Sequence, residues 1–342
     1  MGSSRVVGVD VARGLAVLGM VVAHVGDDDA ARLPGGSSWL EAFDGRSAAG
    51  FALLAGVSAA LLSADAARVA HARVRILARA AFLVPLGLAL EALGTPVVII
   101  LPAYAVMFAM LTAALAWRPR TLIAVAGVVM VAAPPLVLWL RDAAGEPAGP
   151  WAVLWQRYYP PLVWIAYLLV GLAVGRVLRL PTTPRTLVTW GAGLAALALA
   201  AGALAARALD PSHPLLRPLL TSEPHSSATV ELLANTGVVL TVLGLCLIAG
   251  ERWPRTVGPL AATGALALTA YTGQVVAIAV LGRDVVFDPS AAVTIAFVLI
   301  TVTACTLWRA VLGRGPLERA MHIVSAGAAD AVVGPAPVRP AR

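Results

Sequence analysis

The run Val9-Asp10-Val11-Ala12-Arg13-Gly14-Leu15-Ala16-Val17-Leu18-Gly19-Met20-Val21-Val22-Ala23-His24 decides the fold class. Three of its sixteen residues are ionisable and the rest are Gly, Ala, Val, Leu or Met. A helix on the surface of a soluble domain shows one apolar stripe; this one is apolar nearly all round, as a membrane-spanning helix is. At about 100° per residue, Arg13 lies about 60° and His24 about 40° from Asp10, on the same side. Val17 and Met20 fill the stripe between them, and Arg13 and His24 are ~16 Å apart along the axis. Ionisable side chains are costly inside a membrane helix, so they face the bundle interior and mark a site.

The composition outside this run agrees. The chain has 342 residues, 60% hydrophobic and 13% charged, with mean hydropathy +0.86; a soluble domain carries about a quarter charged residues. An ordinary soluble enzyme, a disordered chain and a nucleic-acid binder are thereby excluded. The two cysteines, Cys246 and Cys305, sit in apolar runs, which excludes a disulfide scaffold. All 25 basic residues are arginine, and the formal net charge is +7. If the chain starts in the cytoplasm and crosses ten times, 18 arginines fall on the cytoplasmic side and 7 outside, against 5 and 13 acidic residues. Such an asymmetry is the positive-inside signal, so the basic balance reports topology.

A span needs about 20 mostly apolar residues. The pattern predicts helices near 6–25, 47–63, 76–93, 95–116, 121–140, 161–180, 186–207, 228–250, 257–282 and 290–311. The expected fold is therefore an all-α polytopic membrane protein of about ten transmembrane helices, with both termini cytoplasmic. The first helix is expected to stay uncleaved, residues 1–324 to form the bundle, and the Ala/Gly/Pro-rich segment 325–342 to be a disordered cytoplasmic tail. Trp117, Trp139, Trp253 and Trp308 fall near helix ends, as an aromatic belt requires. Gly171 and Gly175 form a GxxxG, a helix-packing surface. External loops 26–46, 141–160 and 208–227 are the longest and the places to look for function.

Arg13, ten intervening residues and His24 resemble the Arg/Lys-X10-His pattern in the first helix of membrane acyltransferases that acetylate surface glycans. The stretch Val9 to Ala16 with Gly19-Met20 and His24 resembles the opening of heparan-α-glucosaminide N-acetyltransferase-like bacterial membrane proteins. Further similar stretches are Asp44-Gly45-Arg46-Ser47 with Phe51 to Ser58, Tyr159-Pro160 through Gly171 to Gly175-Arg176, and Glu223-Pro224-His225-Ser226. Leu268-Thr269-Ala270-Tyr271 and Gly315-Pro316-Leu317-Glu318 resemble a related set of bacterial membrane proteins.

The resemblance implies an acetyltransferase of the bacterial plasma membrane that takes an acetyl group from cytoplasmic acetyl-CoA. The group goes to a hydroxyl or amine of an extracytoplasmic sugar or cell-envelope glycan. Catalytic candidates are His24, or His225 oriented by Glu223 two residues before it, as a base near its ordinary pKa. Asp10, Arg13, Arg73, Arg75 and Gln274 are donor-side candidates, the arginines because a CoA head is polyanionic. Relatives carry a histidine near the position of Gln274, which cannot exchange a proton near neutral pH. Asp44, Arg46, Tyr158 and Tyr159 are candidates for acceptor binding; Glu231 and Asn235, at i,i+4, line the mouth or satisfy each other. No metal is expected, since no His/Cys set has ligand spacing, and no nucleic acid. The lipid bilayer is the first partner, and a homodimer is one of the assemblies open to the bundle. The rival from another class is a transporter or flippase, with the polar stripe as its path.

Overall fold

A computed structural model describes residues 6–27, 38–64, 69–144, 149–178, 180–210, 212–213 and 216–334. The aspartates Asp28 and Asp29, together with Arg68, Arg179, Pro211 and Pro214, lie outside the described residues, as does the tail from residue 335. Among the described residues the regular structure is helical, without strands. In chain order the helices are α1 (Val7–Val25), α2 (Arg46–Leu62), α3 (Val69–Glu91), α4 (Leu101–Ala114), α5 (Pro119–Ala144), α6 (Pro161–Val177) and α7 (Thr183–Ala208). They continue with α8 (Leu216–Leu219), α9 (Thr229–Arg252), α10 (Gly258–Ala265), α11 (Ala267–Leu281), α12 (Asp284–Phe287), α13 (Ala291–Val311) and α14 (Pro316–Val333).

Six of these runs are long and apolar enough to cross a membrane: α1, Trp39–Leu62 ending in α2, α5, α7, α9 and α13. The bent pair α10 and α11 makes a seventh if it counts as one span. All ten expected helices have helical counterparts. The other three fall short as spans because α4 and α6 have 14 and 17 residues and α3 carries Arg73, Arg75 and Arg79. The expected helix 95–116 begins only at Leu101. Gly94 sits at φ +65° and closes α3, and Pro96 with Val97, Val98, Ile99 and Ile100 favours extended backbone before Pro102 opens α4. The expected helix 257–282 breaks at Leu266, where its two halves bend by 79°. The boundary expected at Ser325 falls inside α14, whose Ser325 and Ala329 are buried; a packed apolar face overrides the Ala/Gly composition there.

The chain forms two compact units that interleave in sequence. The first comprises residues 1–51, 90–98 and 180–318. Here α1 packs against α9, α10, α11 and α13, and α7 pairs with α9. Glycines let these backbones approach: a Cβ on Gly14 would strike the Leu260 carbonyl, and one on Gly191 would lie 2.7 Å from the Gly237 carbonyl. The second unit comprises 52–89, 99–179 and 319–342. Its centre is α6, with Trp164 and Tyr167 fully buried, and Gly171 and Gly175 seat α6 against Leu53, Val57 and Ala60 of α2. The GxxxG is thus a crossing point, as small residues allow.

Candidate functional site

In the first unit α1 carries the polar stripe inward. Asp10 is buried, Val17 and Met20 are buried beyond it, and His24 is half-buried near the far end. Arg13 donates through Nη1 to Asp10 Oδ1 at 2.9 Å and to the Gly264 carbonyl at 3.3 Å. Gly264 is small for a reason: a Cβ there would run into the Asp10 carbonyl. This close approach brings the guanidinium to the C-terminal carbonyls of α10. On the other side of the break, Glu318 accepts from the Leu268 and Thr269 N–H groups at 2.8 and 3.0 Å and from the Thr269 hydroxyl at 2.6 Å. A cation thus meets the negative end of α10 and an anion the positive end of α11, the charges that helix dipoles favour. Asp10 and Arg13 serve this joint. The guanidinium assigned to a CoA phosphate already makes two bonds to the protein.

At the other end of the stripe, Gln274 of α11 places Nε2 2.7 Å from His24 Nδ1 and 3.4 Å from the Met20 carbonyl. The Met20 carbonyl can only accept and an amide nitrogen can only donate, so Nε2 is the donor to His24 Nδ1. The ring proton of neutral His24 then sits on Nε2. Gly19 of α1 packs against Ser47, and Gly45 packs against the His225 loop, so the two histidines, alternatives in the sequence, belong to one end of the first unit.

The loop bearing His225 is held by a residue expected only at the mouth. Glu231, 2% exposed in the first turn of α9, accepts from the His225 N–H at 2.8 Å, the Ser227 N–H at 2.7 Å and the Ser226 hydroxyl at 3.0 Å. Asn235 adds Nδ2 at 3.3 Å, the i,i+4 pairing expected for these two side chains. His225 and Ser227 are both in the left-handed region, at φ 60° and 57°, a conformation costly for residues with a Cβ and found where the surroundings enforce it. Burial pushes the His225 imidazole below its ordinary pKa, so it is neutral near pH 7. Gly45, at φ +65°, packs the Asp44–Arg46 turn onto the same loop: a Cβ there would lie 3.0 Å from Glu231 Oε1 and 3.5 Å from the His225 nitrogen.

Other candidates are placed differently. Glu223 is exposed and its backbone N–H binds the Thr221 hydroxyl; the carboxylate that organises the His225 loop is Glu231. Arg46 donates to the Glu41 carbonyl at 3.2 Å, and Asp44 is half-buried in the same turn. Within the second unit, Tyr159 is 7% exposed and sets its ring edge-on to Trp164 at 4.9 Å, which in turn meets Tyr167 at 5.2 Å. It is a core aromatic, and only Tyr158, 40% exposed beside Arg157, presents a face to a ligand. Arg73 is exposed and donates to the Thr112 carbonyl at 3.2 Å, and Arg75 lies 3.1 Å from His322 Nδ1. Glu231 and Glu318 carry the roles that sequence reasoning missed. The one available signal was a glutamate at the third position of a helix, for Glu231.

Two families match the chain. Residues 5–202 match the family described as heparan-alpha-glucosaminide N-acetyltransferase, catalytic, and residues 176–328 match a protein family of unknown function (DUF418). No curated protein matches it. The site draws on both segments: His24 comes from the first, and Gln274, His225 and Glu231 come from the second. The first match spans more than half of an all-helical chain with six or seven candidate membrane spans, and the chain belongs to the heparan-α-glucosaminide N-acetyltransferase catalytic family, a family of membrane acetyltransferases.

Proposed function

We propose that this protein moves an acetyl group from acetyl-CoA on the cytoplasmic side of a bacterial plasma membrane to a hydroxyl or amine of an extracytoplasmic sugar or envelope glycan. The observation that carries this reading is His24 of α1 held by Gln274 of α11, in the same unit as His225 on a strained loop anchored by a buried carboxylate. The acceptor oxygen or nitrogen attacks the thioester carbonyl carbon, a C–O or C–N bond forms, and the C–S bond breaks. His225, neutral near pH 7, takes the acceptor's proton and passes it to the departing CoA sulfur. His24 presents Nε2–H to the thioester oxygen as negative charge develops, a contribution of about 3 kcal/mol for one such donor. The donor's phosphates fall to arginines other than Arg13, whose Nη1 is already bonded to Asp10 and to the Gly264 carbonyl.

The break at Leu266 raises the transport reading, because carriers bind solutes at broken helices. Here Arg13 and Glu318 already engage the two half-helix ends, which favours a joint over an ion site. The test is titration of acetyl-CoA by calorimetry into purified protein, beside radiolabelled acetyl transfer to a panel of amino sugars and glycans. His24→Ala and His225→Ala are expected to bind acetyl-CoA like the parent and to lose turnover. Full turnover in either removes that histidine from the mechanism. Solute flux in liposomes without any CoA compound would favour transport.

A further inference from the structure

A cavity of about 340 Å³ runs between α11 and α13, both in the first unit. It extends from Leu266 at the break and, within α11, from Thr269 to Leu281, ~18 Å at the helical rise, and on α13 from Phe297 to Trp308. Both helices turn large apolar side chains outward nearby: Val280 is 79% exposed and Ile300 67%. The cavity therefore stands beside hydrocarbon in a membrane, and its lining is almost wholly apolar, which disfavours water. No cation lines it, so the phosphates of a CoA head would find no partner there. Thr269 and Thr301 also line it, and Gln274 is the amide on its wall. Gln274 is 3% exposed and its Oε1 has no hydrogen-bond partner, while its Nε2 holds His24. A buried amide with one half unsatisfied is costly, and a ligand hydroxyl donating to Oε1 would relieve it.

We propose that this cavity binds a single hydrocarbon chain, and that the acceptor is a lipid-linked sugar whose tail lies between α11 and α13 and whose head is thereby presented to Gln274 and His24. The acceptor role rests on the acetyl-transfer reading; the chain-binding site does not.

The test uses the full-length protein in phosphatidylcholine nanodiscs and dodecyl β-glucoside bearing a diazirine in its chain. After photolysis, label is expected on the peptides containing 266–281 and 297–308. Excess dodecyl glucoside should abolish it and excess methyl glucoside should leave it unchanged. A Cβ at Gly273 meets nothing within 4 Å, so Gly273→Leu extends into open space without striking backbone and should lose the label. Ala277→Phe, also on the lining, is the second variant, and the melting temperature of each verifies folding. Labelling that excess dodecyl glucoside does not reduce, or that both variants retain, would overturn the site. Equal competition by lysophosphatidylcholine would assign it to an ordinary phospholipid tail and overturn the acceptor role. Acetyl transfer from acetyl-CoA to dodecyl glucoside well above that to methyl glucoside would support the acceptor role. Saturable labelling with no acetyl-CoA binding and no transfer to any glucoside or amino sugar would refute acetyl transfer and leave chain binding standing.

Discussion

Replacing Glu231 with alanine removes one carboxylate and strands four donors: the N–H groups of His225 and Ser227, the Ser226 hydroxyl and the Asn235 amide. The hydroxyl and the amide can rotate to other acceptors; the two backbone N–H groups cannot. Leaving each of those buried and unpaired costs about 1–3 kcal/mol, so roughly 2–6 kcal/mol is at stake. Part returns when the loop relaxes, because holding His225 and Ser227 at φ 60° and 57° itself costs about 1–3 kcal/mol each. The expected net loss is about 2–4 kcal/mol. At about 2 °C per kcal/mol for a chain of this size, that lowers Tm by about 4–8 °C. Glu231→Gln keeps one acceptor oxygen but turns an NH2 toward an N–H, so it should lie between parent and alanine variant. Cys246 and Cys305 are buried free thiols, so a thiol-reactive dye reports unfolding directly. Hydrogen exchange across residues 225–228 reports the loop, and it should speed up in the order parent, glutamine, alanine. A Glu231→Ala protein that melts with the parent and shows unchanged exchange there would refute the claim that this carboxylate holds the loop.

Gln274→Leu removes the 2.7 Å contact to His24 at similar volume; kcat should fall about 10- to 100-fold with the acetyl-CoA KM unchanged, read from initial rates. His225 has a folded-state pKa below its unfolded value near 6.5. Above that pH both states are neutral; below it the unfolded chain protonates first, so Tm should fall as pH drops from about 6.5 to the lowered folded pKa. His225→Gln should flatten that part of a Tm-against-pH series. Glu318→Gln leaves one oxygen for three donors at the start of α11 and should lower Tm by several degrees, without affecting exchange at residues 225–228. Gly264→Ala drives a methyl into the Asp10 carbonyl and should abolish recovery of folded protein, whereas Gly127→Ala, whose Cβ meets nothing within 4 Å, should melt at or above the parent on size-exclusion and dye assays.

Helix position and the polar face of α1 were legible because both are local. Hydrophobicity over about 20 residues and a rotation of 100° per residue need no knowledge of the rest of the chain. So Asp10, Arg13 and His24 could be put on one stripe, and Gly171 with Gly175 at a crossing, from sequence order alone. The end of α3 was nearly legible for the same reason, since Gly94 and Pro96 act on their own neighbours.

What joins those pieces is decided by contacts between residues far apart in the chain. Leu266 lies in an unbroken apolar run, and its break depends on Arg13, about 250 residues earlier, and Glu318, about 50 later, meeting the freed backbone groups. Gln274 acquires a role only when α11 lies beside α1 and its amide reaches His24. The Glu223–His225 spacing suggested a dyad, yet the folded loop turns the backbone of His225 toward Glu231. A buried carboxylate gains most from several convergent N–H donors, and only a folded chain can supply them. Sequence alone therefore determined which segments are helical and which face of α1 is polar. Tertiary packing determined which polar groups meet, because hydrogen bonds in an apolar interior are set by proximity in space and not by spacing along the chain.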